Sequence, residues 1–287
     1  MIYLNGEFMP LSEAKVSVMD RGFLFGDGVY EVIPVYSKRP FRPAEHLKRL
    51  QTSLDGIRLA NPHSEAEWMT LIDRIVADAD SPDHQVYLQV TRGVDEKRNH
   101  AFPKLIRPTV FMMSEPLLPP PPELCRQGIT AVSATDNRWL RCDLKSISLL
   151  ANCLLRQLAV EAGCAETLLF RDGFLSEGAA SNIFVVKNSV LLAPAKTHLM
   201  LPGITYDVIL ELARAHGLPY EVRDVMESEV RSACELWMTS STKEVLPIVS
   251  LDGRPVGVGV NAGQPGPVFA QMFAWYQEFK KSVMRRG

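Results

Sequence analysis

Short stretches in which apolar and polar residues alternate predict a β-sheet early in the chain. Asn5 and Gly6 separate two short apolar runs, and both accept the positive φ angles of a two-residue hairpin turn. Val86 to Val90 alternates as a half-buried strand does, and Val29 to Tyr36 and Pro108 to Met113 also predict strands. The chain therefore begins with a sheet.

Apolar residues spaced three and four positions apart predict two helices between these strands. Arg42-Pro43 begins the first helix, whose apolar face is formed by Leu47, Leu50, Leu54 and Ile57. Ser64 and Glu67 have the spacing of a capping box and begin the second. Its apolar face consists of Trp68, Leu71, Ile72, Ile75 and Val76. The first half is thus α+β.

A cluster of prolines marks a change of domain. Pro116 and the run Pro119 to Pro122 hold a quarter of the 20 prolines, which favours a stiff polyproline II segment. We therefore predict an N-terminal α+β domain over 1–118 and a C-terminal α+β domain over 119–287. The second contains strands at 129–134 and 235–239, a hairpin turn at Asp172-Gly173, and helices at 149–162, 203–216 and 268–283.

Composition narrows the class of protein. The 287 residues are 46% hydrophobic and 22% charged, which excludes disordered and fibrous chains. The 31 basic and 33 acidic residues give a net charge of −2, which argues against a nucleic-acid or membrane-surface binder. The basic tail from Lys280 to Arg286 is typical of a solvated helix end. Small-molecule substrates are the expected partners.

The cysteines and the N-terminus indicate the compartment. Five scattered cysteines, none in a Cys-x-x-Cys pair, support neither a disulfide framework nor a zinc site, and we expect no metal. The first residues have no basic and apolar signal segment, and no stretch approaches eighteen uncharged apolar residues. We therefore expect a cytoplasmic protein without a membrane span.

Several common catalytic motifs are absent from the sequence. Gly26-Asp27-Gly28 begins like a dinucleotide fingerprint, but Glu31 occupies the place of the third glycine, and the order is turn then strand. A tight turn is the better interpretation. The sequence contains no Walker A motif, no Gly-x-Ser-x-Gly and no His-Glu-x-x-His.

Two residues have surroundings that suit covalent chemistry on a cofactor. Lys145 lies in an apolar stretch from Trp139 to Leu150. Its ammonium either reaches water or is desolvated, and a desolvated amine can form a Schiff base with a carbonyl. Glu177 follows the Asp172-Gly173 turn among small residues. It is either a solvated turn residue or a carboxylate that keeps a ring nitrogen protonated.

Two segments and one arginine suit an anion. Pro202-Gly203-Ile204-Thr205 begins a helix whose N–H groups favour phosphate. Thr239 to Thr242 offers hydroxyl and backbone donors after a strand. Each segment alone is also compatible with an ordinary cap or turn, and Arg49 alone with a solvated helix charge.

Together these segments resemble the fold-type-IV family of pyridoxal 5′-phosphate enzymes, which includes D-amino acid, branched-chain and ω-type aminotransferases and aminodeoxychorismate lyase. The resemblance covers nearly the whole chain and preserves the family order. It is carried by Asp20 to Glu31, Glu45-His46 to Leu50, Leu144-Lys145-Ser146, Glu177-Gly178 to Asn182, and Gly203-Ile204-Thr205. It implies a two-domain α+β fold and pyridoxal 5′-phosphate as cofactor.

The resemblance also assigns roles to residues. It implies that Lys145 forms the Schiff base with the cofactor, that Glu177 faces the pyridine nitrogen, and that Leu201 lies behind the ring. The phosphate group would be bound by Arg49, Ile204, Thr205, Ser240 and Ser241.

The segment from Thr91 to Pro103 resembles the D-amino acid aminotransferases within this family. There, an Arg-x-His such as Arg98 to His100, contributed by the neighbouring subunit, binds the substrate α-carboxylate together with a tyrosine at the place of Tyr30. A guanidinium group suits a carboxylate because it can donate two parallel hydrogen bonds. The resemblance therefore implies a homodimer that transfers the amino group of a D-amino acid to a 2-oxo acid by a ping-pong mechanism.

Some positions differ from the family pattern and leave alternatives open. Ala179 and Ala180 replace frequent serines, Tyr206 replaces a basic residue, and Ala193-Pro194 stands where threonine is common. A branched-chain L-aminotransferase and an aminodeoxychorismate lyase are alternatives with the same fold. A non-catalytic protein that binds pyridoxal phosphate is a third, from a different class.

Overall fold

A computed structural model describes residues 1–286, which divide into two compact units. The first contains residues 1–118 and 144–149, and the second contains 119–143 and 150–286. Segment 144–149, predicted to lie in the second domain, packs with the first unit because its backbone continues the sheet hydrogen bonds there. Tyr30 N donates to Lys145 O at 2.9 Å, and Ile147 N donates to Gly28 O at 3.1 Å.

The first unit contains a six-stranded sheet with the order β2-β1-β6-β5-β3-β4. All of its paired strands are antiparallel. The predicted turn is confirmed, since Asn5 and Gly6 have φ angles of 50° and 102°. The strands are β1 (Ile2–Leu4), β2 (Glu7–Met9), β3 (Gly28–Tyr36), β4 (Arg39–Pro40), β5 (His84–Thr91) and β6 (Thr109–Pro116).

Helices of the first unit bury the faces that the sequence pattern predicts. They are α1 (Arg21–Phe25), α2 (Pro43–Gly56) and α3 (Glu65–Asp78). The capping box of Ser64 and Glu67 is confirmed at the start of α3. Leu50, Leu54 and Ile72 are fully buried in one core with Ile33 of β3. The short helix α1 has only five residues, too few for a helical pattern in the sequence to predict it.

The second unit is a mixed sheet with helices. Its strands are β7 (Ile129–Thr135), β8 (Glu166–Arg171), β9 (Phe174–Gly178), β10 (Asn182–Lys187), β11 (Val190–Ala193), β12 (Tyr220–Val222), β13 (Glu235–Ser240), β14 (Glu244–Leu251) and β15 (Arg254–Pro255). Its helices are α4 (Pro122–Gln127), α5 (Leu150–Glu161), α6 (Ile204–Ala215), α7 (Glu227–Arg231) and α8 (Pro267–Phe279).

The sheet of the second unit has the order β12-β11-β10-β13-β14-β7-β8-β9, with β15 paired to β14. The β14–β7, β7–β8 and β11–β12 pairs are parallel, and the others are antiparallel. Its core includes Ile183, Val185 and Leu168, all fully buried. Asp172 and Gly173 have φ angles of 52° and 82°, which confirms the second hairpin turn.

The proline cluster does not form one polyproline II segment. Pro116 is the last residue of β6 and lies opposite His84, and Pro122 begins α4. Proline is tolerated at a helix start because the first N–H groups have no intrahelical acceptor. Between 1 and 286, no helix is both long and apolar enough to cross a membrane.

Candidate active site

Lys145 is held through its backbone in the first unit. Its N–H donates to Ser53 Oγ of α2 at 3.1 Å, and its carbonyl accepts from Tyr30 of β3. The half-buried side chain extends over the Tyr30 ring, with Nζ 4.3 Å from the ring centroid. In the described part of the chain, no carboxylate pairs with its ammonium group.

A buried glutamate on β3 forms a second feature of this unit. Glu31 accepts from Arg49 Nε at 2.7 Å and Nη2 at 2.9 Å, and it contacts His46 Nδ1 at 2.8 Å. Burial alone would raise the pKa of Glu31, but Arg49 and His46 lower it well below its ordinary value. Arg49 is 8% exposed, so the solvated-charge interpretation is wrong.

The side chain of His46 completes this cluster. It is fully buried, and burial lowers its pKa below the ordinary value, because the charged form loses its hydration. Its Nε2 atom has no hydrogen-bond partner within residues 1–286. Arg49 is thus oriented by a buried acid, and a polar atom of the same helix remains unpaired.

Arg98 and His100 lie on the exposed loop between β5 and β6. The Arg98 guanidinium is 5.0 Å from the centroid of the Phe25 ring, and the His100 ring is 5.2 Å from the same ring. The structure therefore brings the two predicted carboxylate ligands together at Phe25. Tyr30, their predicted partner, stacks on Tyr87 at 5.7 Å.

Glu177 lies on β9 in the second unit and is 5% exposed. Its Oε1 accepts from Arg138 Nη1 at 2.5 Å, and its Oε2 accepts from Leu201 N at 3.1 Å and Asn182 Nδ2 at 3.3 Å. The solvated-turn interpretation of Glu177 is wrong. Its carboxylate is fixed by three donors from three separate segments.

Arg138 is shared between two acids. Its Nε and Nη2 donate to Asp136 at 2.9 Å each, which leaves Nη1 for Glu177. Burial raises the pKa of Glu177 to about 7, although Arg138 opposes the shift. Arg138 outweighs burial at Asp136 and lowers its pKa to about 2. Glu177 can therefore both hold and release a proton near neutral pH.

The start of α6 provides donors for an anion. Gly203 is the N-cap and contributes no side-chain hydrogen bond, and Ile204 and Thr205 follow it as buried residues. The first N–H groups of a helix and its positive dipole end favour a phosphate. A Cβ at Gly203 would lie 2.0 Å from Asn182 Oδ1, so glycine is needed there.

The end of β13 lies beside β10. Thr239 is opposite Asn182, and its Oγ1 is a buried atom without a hydrogen-bond partner in the described residues. Ser240 Oγ accepts from Lys243 N at 3.1 Å, and this hydrogen bond closes the turn that contains Ser241. An unpaired buried hydroxyl beside predicted phosphate ligands is what a bound anion would satisfy.

Two departures from the family pattern contact each other. The hydroxyl of Tyr206 donates to Pro194 O at 2.9 Å, and its ring stacks on Phe184 at 5.0 Å. Burial raises the pKa of Tyr206 above its ordinary range. Tyr206 thus packs in the core and stabilises the segment before Gly203. Ala179 is buried and Ala180 is exposed.

Sequence reasoning missed several residues of these clusters. Glu31, Arg138 and Asn182 each bind a predicted site residue, and Asp136 pairs with Arg138. Glu31 did carry a signal, since it is an acid among the apolar residues of a predicted strand. Arg138 follows a predicted strand in a segment without periodicity and gave none.

The sequence matches one family model over residues 28–251, described as amino-transferase class IV. This chain belongs to the class IV aminotransferases. A D-alanine aminotransferase of Bacillus licheniformis is 40% identical over 93% of this chain and 92% of its own. One of Listeria monocytogenes is 36% identical over 96% and 95%.

Solved structures that are similar to this chain are also aminotransferases. A branched-chain amino acid aminotransferase of Escherichia coli has a TM-score of 0.88 at 28% identity, covering 99% of this class IV aminotransferase and 94% of its own chain. Another, from T.th. and complexed with N-(5′-phosphopyridoxyl)-L-glutamate, has a TM-score of 0.86 at 27% identity, covering 96% and 92%. The predicted fold type is confirmed.

Enzymes of this family depend on pyridoxal phosphate, which confirms the predicted cofactor. The residues present fit it on two observations from the second unit. The unpaired Thr239 hydroxyl and the uncapped start of α6 suit its phosphate. The buried Glu177 carboxylate, with a pKa near neutral, suits a ring nitrogen that must carry a proton.

Proposed function

We propose that this aminotransferase moves the amino group of a D-amino acid, D-alanine in particular, to a 2-oxo acid such as 2-oxoglutarate. The observation that carries the proposal is the Lys145 amine, held by two backbone hydrogen bonds and paired with no carboxylate in the described chain. The D-alanine aminotransferases among its relatives, at 36–40% identity, support the substrate.

The proposal gives the following residues roles in cofactor binding. Lys145 binds the cofactor covalently, and Glu177 keeps its ring nitrogen protonated, while Leu201 supports the ring. The phosphate is bound by Arg49, Ile204, Thr205, Ser240 and Ser241. Thr239 Oγ1, which needs a partner, joins this set.

Lys145 also moves the proton of the reaction. When bound, the cofactor supplies an electron-withdrawing ring that accepts the electrons of the broken Cα–H bond. The Lys145 amine, displaced by the substrate amine, takes the Cα proton and delivers it to C4′ of the cofactor. Its backbone bonds to Ser53 and Tyr30 fix the start of the Lys145 side chain, whose amine would move the proton. Hydrolysis by one water would release the 2-oxo acid and leave the amino group with the cofactor, and a second 2-oxo acid would take up that amino group by the reverse sequence.

Arg98 and His100, together with Tyr30, bind the substrate α-carboxylate in this proposal. Their place on one exposed loop beside Phe25 supports a role in binding an external group. By analogy with D-amino acid aminotransferases, this loop serves the neighbouring subunit of a homodimer. The five thiols are unpaired, which supports a cytoplasmic enzyme.

A donor panel tests the proposal. With D-alanine and 2-oxoglutarate, the purified enzyme should produce pyruvate, and Arg98→Ala should raise KM for D-alanine about tenfold or more, because a charged hydrogen bond is lost. Arg107→Ala, which changes an exposed arginine of the same loop, is the control.

The branched-chain structural neighbours favour one alternative, an L-branched-chain aminotransferase. Activity only with L-valine or L-leucine would establish that alternative. Release of pyruvate from aminodeoxychorismate without any amino acceptor would establish a lyase.

A further inference from the structure

A buried arginine of α1 binds the backbone of the loop that carries Arg98 and His100. Arg21 is 3% exposed. Its Nη1 donates to Asn99 O at 2.6 Å and to Ala101 O at 3.2 Å, and its Nη2 donates to His100 O at 3.2 Å. One guanidinium therefore binds three consecutive carbonyl groups of an exposed loop.

An aspartate holds this arginine in place. Asp27 Oδ2 accepts from Arg21 Nε at 2.8 Å, on the edge of the guanidinium that the loop does not use. Burial would raise the pKa of Asp27, but Arg92 and Arg21 together lower it. The carboxylate therefore stays ionised, and the Nη groups of Arg21 remain directed at the loop.

Arg92 pairs with the same aspartate and contacts the other end of the loop. It donates to Asp27 through Nε at 2.8 Å and Nη2 at 2.9 Å, and to Ile57 O at 2.7 Å. Its guanidinium carbon lies 3.6 Å from the centroid of the Phe102 ring, a close cation–π contact. Both ends of the 99–102 segment are thus attached to one buried cluster.

Helix α1 links this cluster to the side chains of the loop. Arg21 is its first residue, and Phe25, its last, contacts the side chains of both Arg98 and His100. One end of the helix holds the backbone of the loop, and the other end contacts the side chains of Arg98 and His100. An exposed loop of this kind would otherwise sample many conformations, and binding would have to restrict them.

We propose that Arg21 is a positioning residue for the substrate carboxylate and acts through Arg98 and His100. The inference rests on the proposed function, which gives those two residues the carboxylate. Both the amino acid and the 2-oxo acid carry this carboxylate, so the orientation of the loop affects the binding of both substrates.

The test is Arg21→Lys, which keeps the charge and the pairing with Asp27 but cannot reach three carbonyls with a planar fork. We expect KM for D-alanine and for 2-oxoglutarate to rise about tenfold while kcat changes less than about twofold. The absorbance of the bound cofactor should not change. Arg74→Lys, at an arginine that is 61% exposed, is the matched control.

A double-mutant cycle separates positioning from general structure. If Arg21 acts through Arg98, Arg21→Lys should raise KM less than about threefold in the Arg98→Ala background. Additive effects of the two substitutions would overturn the inference. So would a parallel fall in kcat, cofactor retention and melting temperature, which indicates a merely structural role.

Hydrogen exchange of the apoenzyme gives a readout without activity. Arg21→Lys should speed exchange of the amides at 98–102 and leave the β3 and β5 amides unchanged; unchanged loop exchange would overturn the inference. If Arg21→Lys does not fold, Phe102→Ala is tested instead, by the KM values and by the exchange of the loop amides. The Phe102 ring is 43% exposed. A wild type without D-alanine activity would reject the proposed function, whereas an active wild type with unchanged KM in the variant rejects this inference alone.

Discussion

Two buried glutamates, one in each unit, differ in pKa although their surroundings look alike. Glu31 on β3 is 0% exposed and Glu177 on β9 is 5% exposed, and each is bonded to an arginine. Yet the pKa of Glu31 lies well below its ordinary value, whereas that of Glu177 is raised to about 7. The difference lies in how each arginine distributes its donors.

Arg49 directs two N–H groups at Glu31, and His46 adds a third contact. Arg138 directs two N–H groups at Asp136 and only one at Glu177, and the negative charge of Asp136 raises the pKa of Glu177 further. A bidentate pair compensates for the lost hydration of a carboxylate, and a shared arginine does so only in part. Glu31 is therefore a permanent anion that orients Arg49, and Glu177 remains able to exchange a proton.

The largest expected effect is on the stability of the first unit. Glu31→Gln removes the anion that pairs with buried Arg49, and breaking such a pair costs about 3 to 5 kcal/mol. Urea unfolding of the apoenzyme at pH 7 measures this loss. Glu45→Gln, at an exposed glutamate of the same helix as Arg49, is the control. A loss below about 1 kcal/mol would show that the pair does not stabilise the fold.

Glu177→Gln should impair the reaction more than the fold. An amide cannot keep the ring nitrogen protonated, and removing one such electrostatic group costs about 100- to 1,000-fold in kcat. Steady-state kinetics with D-alanine measure it. Wild-type kcat in this variant would contradict the role of Glu177.

The two glutamates should also differ in pH dependence. Because the pKa of Glu177 is raised from 4.5 to about 7, its stabilising contribution is complete below pH 4.5 and is lost as the pH rises to about 7. The stability of apo Glu177→Gln relative to wild type should therefore increase by about 2 to 3 kcal/mol between pH 4.5 and 7.5. For Glu31, whose pKa is lowered, the contribution is present above pH 4.5 and is lost on acidification. Urea titrations at several pH values test this, and parallel profiles for the two variants would refute the comparison.

The smallest effect is expected for Arg138→Lys. The ammonium keeps a positive charge but cannot serve Asp136 and Glu177 with a planar fork. Cofactor affinity should fall about threefold to tenfold, equivalent to about 1 kcal/mol. Titration of the apoenzyme with pyridoxal phosphate measures it, with Arg141→Lys, which changes an exposed pair with Asp143, as the control. An unchanged affinity would show that the sharing of Arg138 is unimportant.

Local patterns predicted much of the fold. The Asn5-Gly6 and Asp172-Gly173 turns and the Ser64 capping box depend on neighbouring residues, and all are confirmed. The placement of Lys145 depends on backbone hydrogen bonds to β3 and α2, about 115 and 92 positions away in sequence. No local pattern contains that information, so the sequence predicts segment 144–149 in the second domain, whereas the structure has it in the first unit.

In the candidate site, only the residues that belong to sequence motifs could be predicted. The residues that the resemblance named are those that would contact the cofactor or substrate. The residues behind them, such as Asp27, Arg21 and Arg138, act by pairing with distant partners, and a single sequence does not show which charges pair. The raised pKa of Glu177 follows from burial and from Asp136, and both are properties of the folded chain.

Borohydride reduction tests the central claim most directly, since it converts the C=N bond between a lysine and the cofactor into a stable amine. After reduction, digestion and mass spectrometry, the phosphopyridoxyl group should be found on the peptide that contains Lys145, and Lys145→Ala should show neither label nor activity. Lys15→Ala, at an exposed lysine, should keep both. A label on any other lysine, or none in an active wild-type enzyme, would contradict the account.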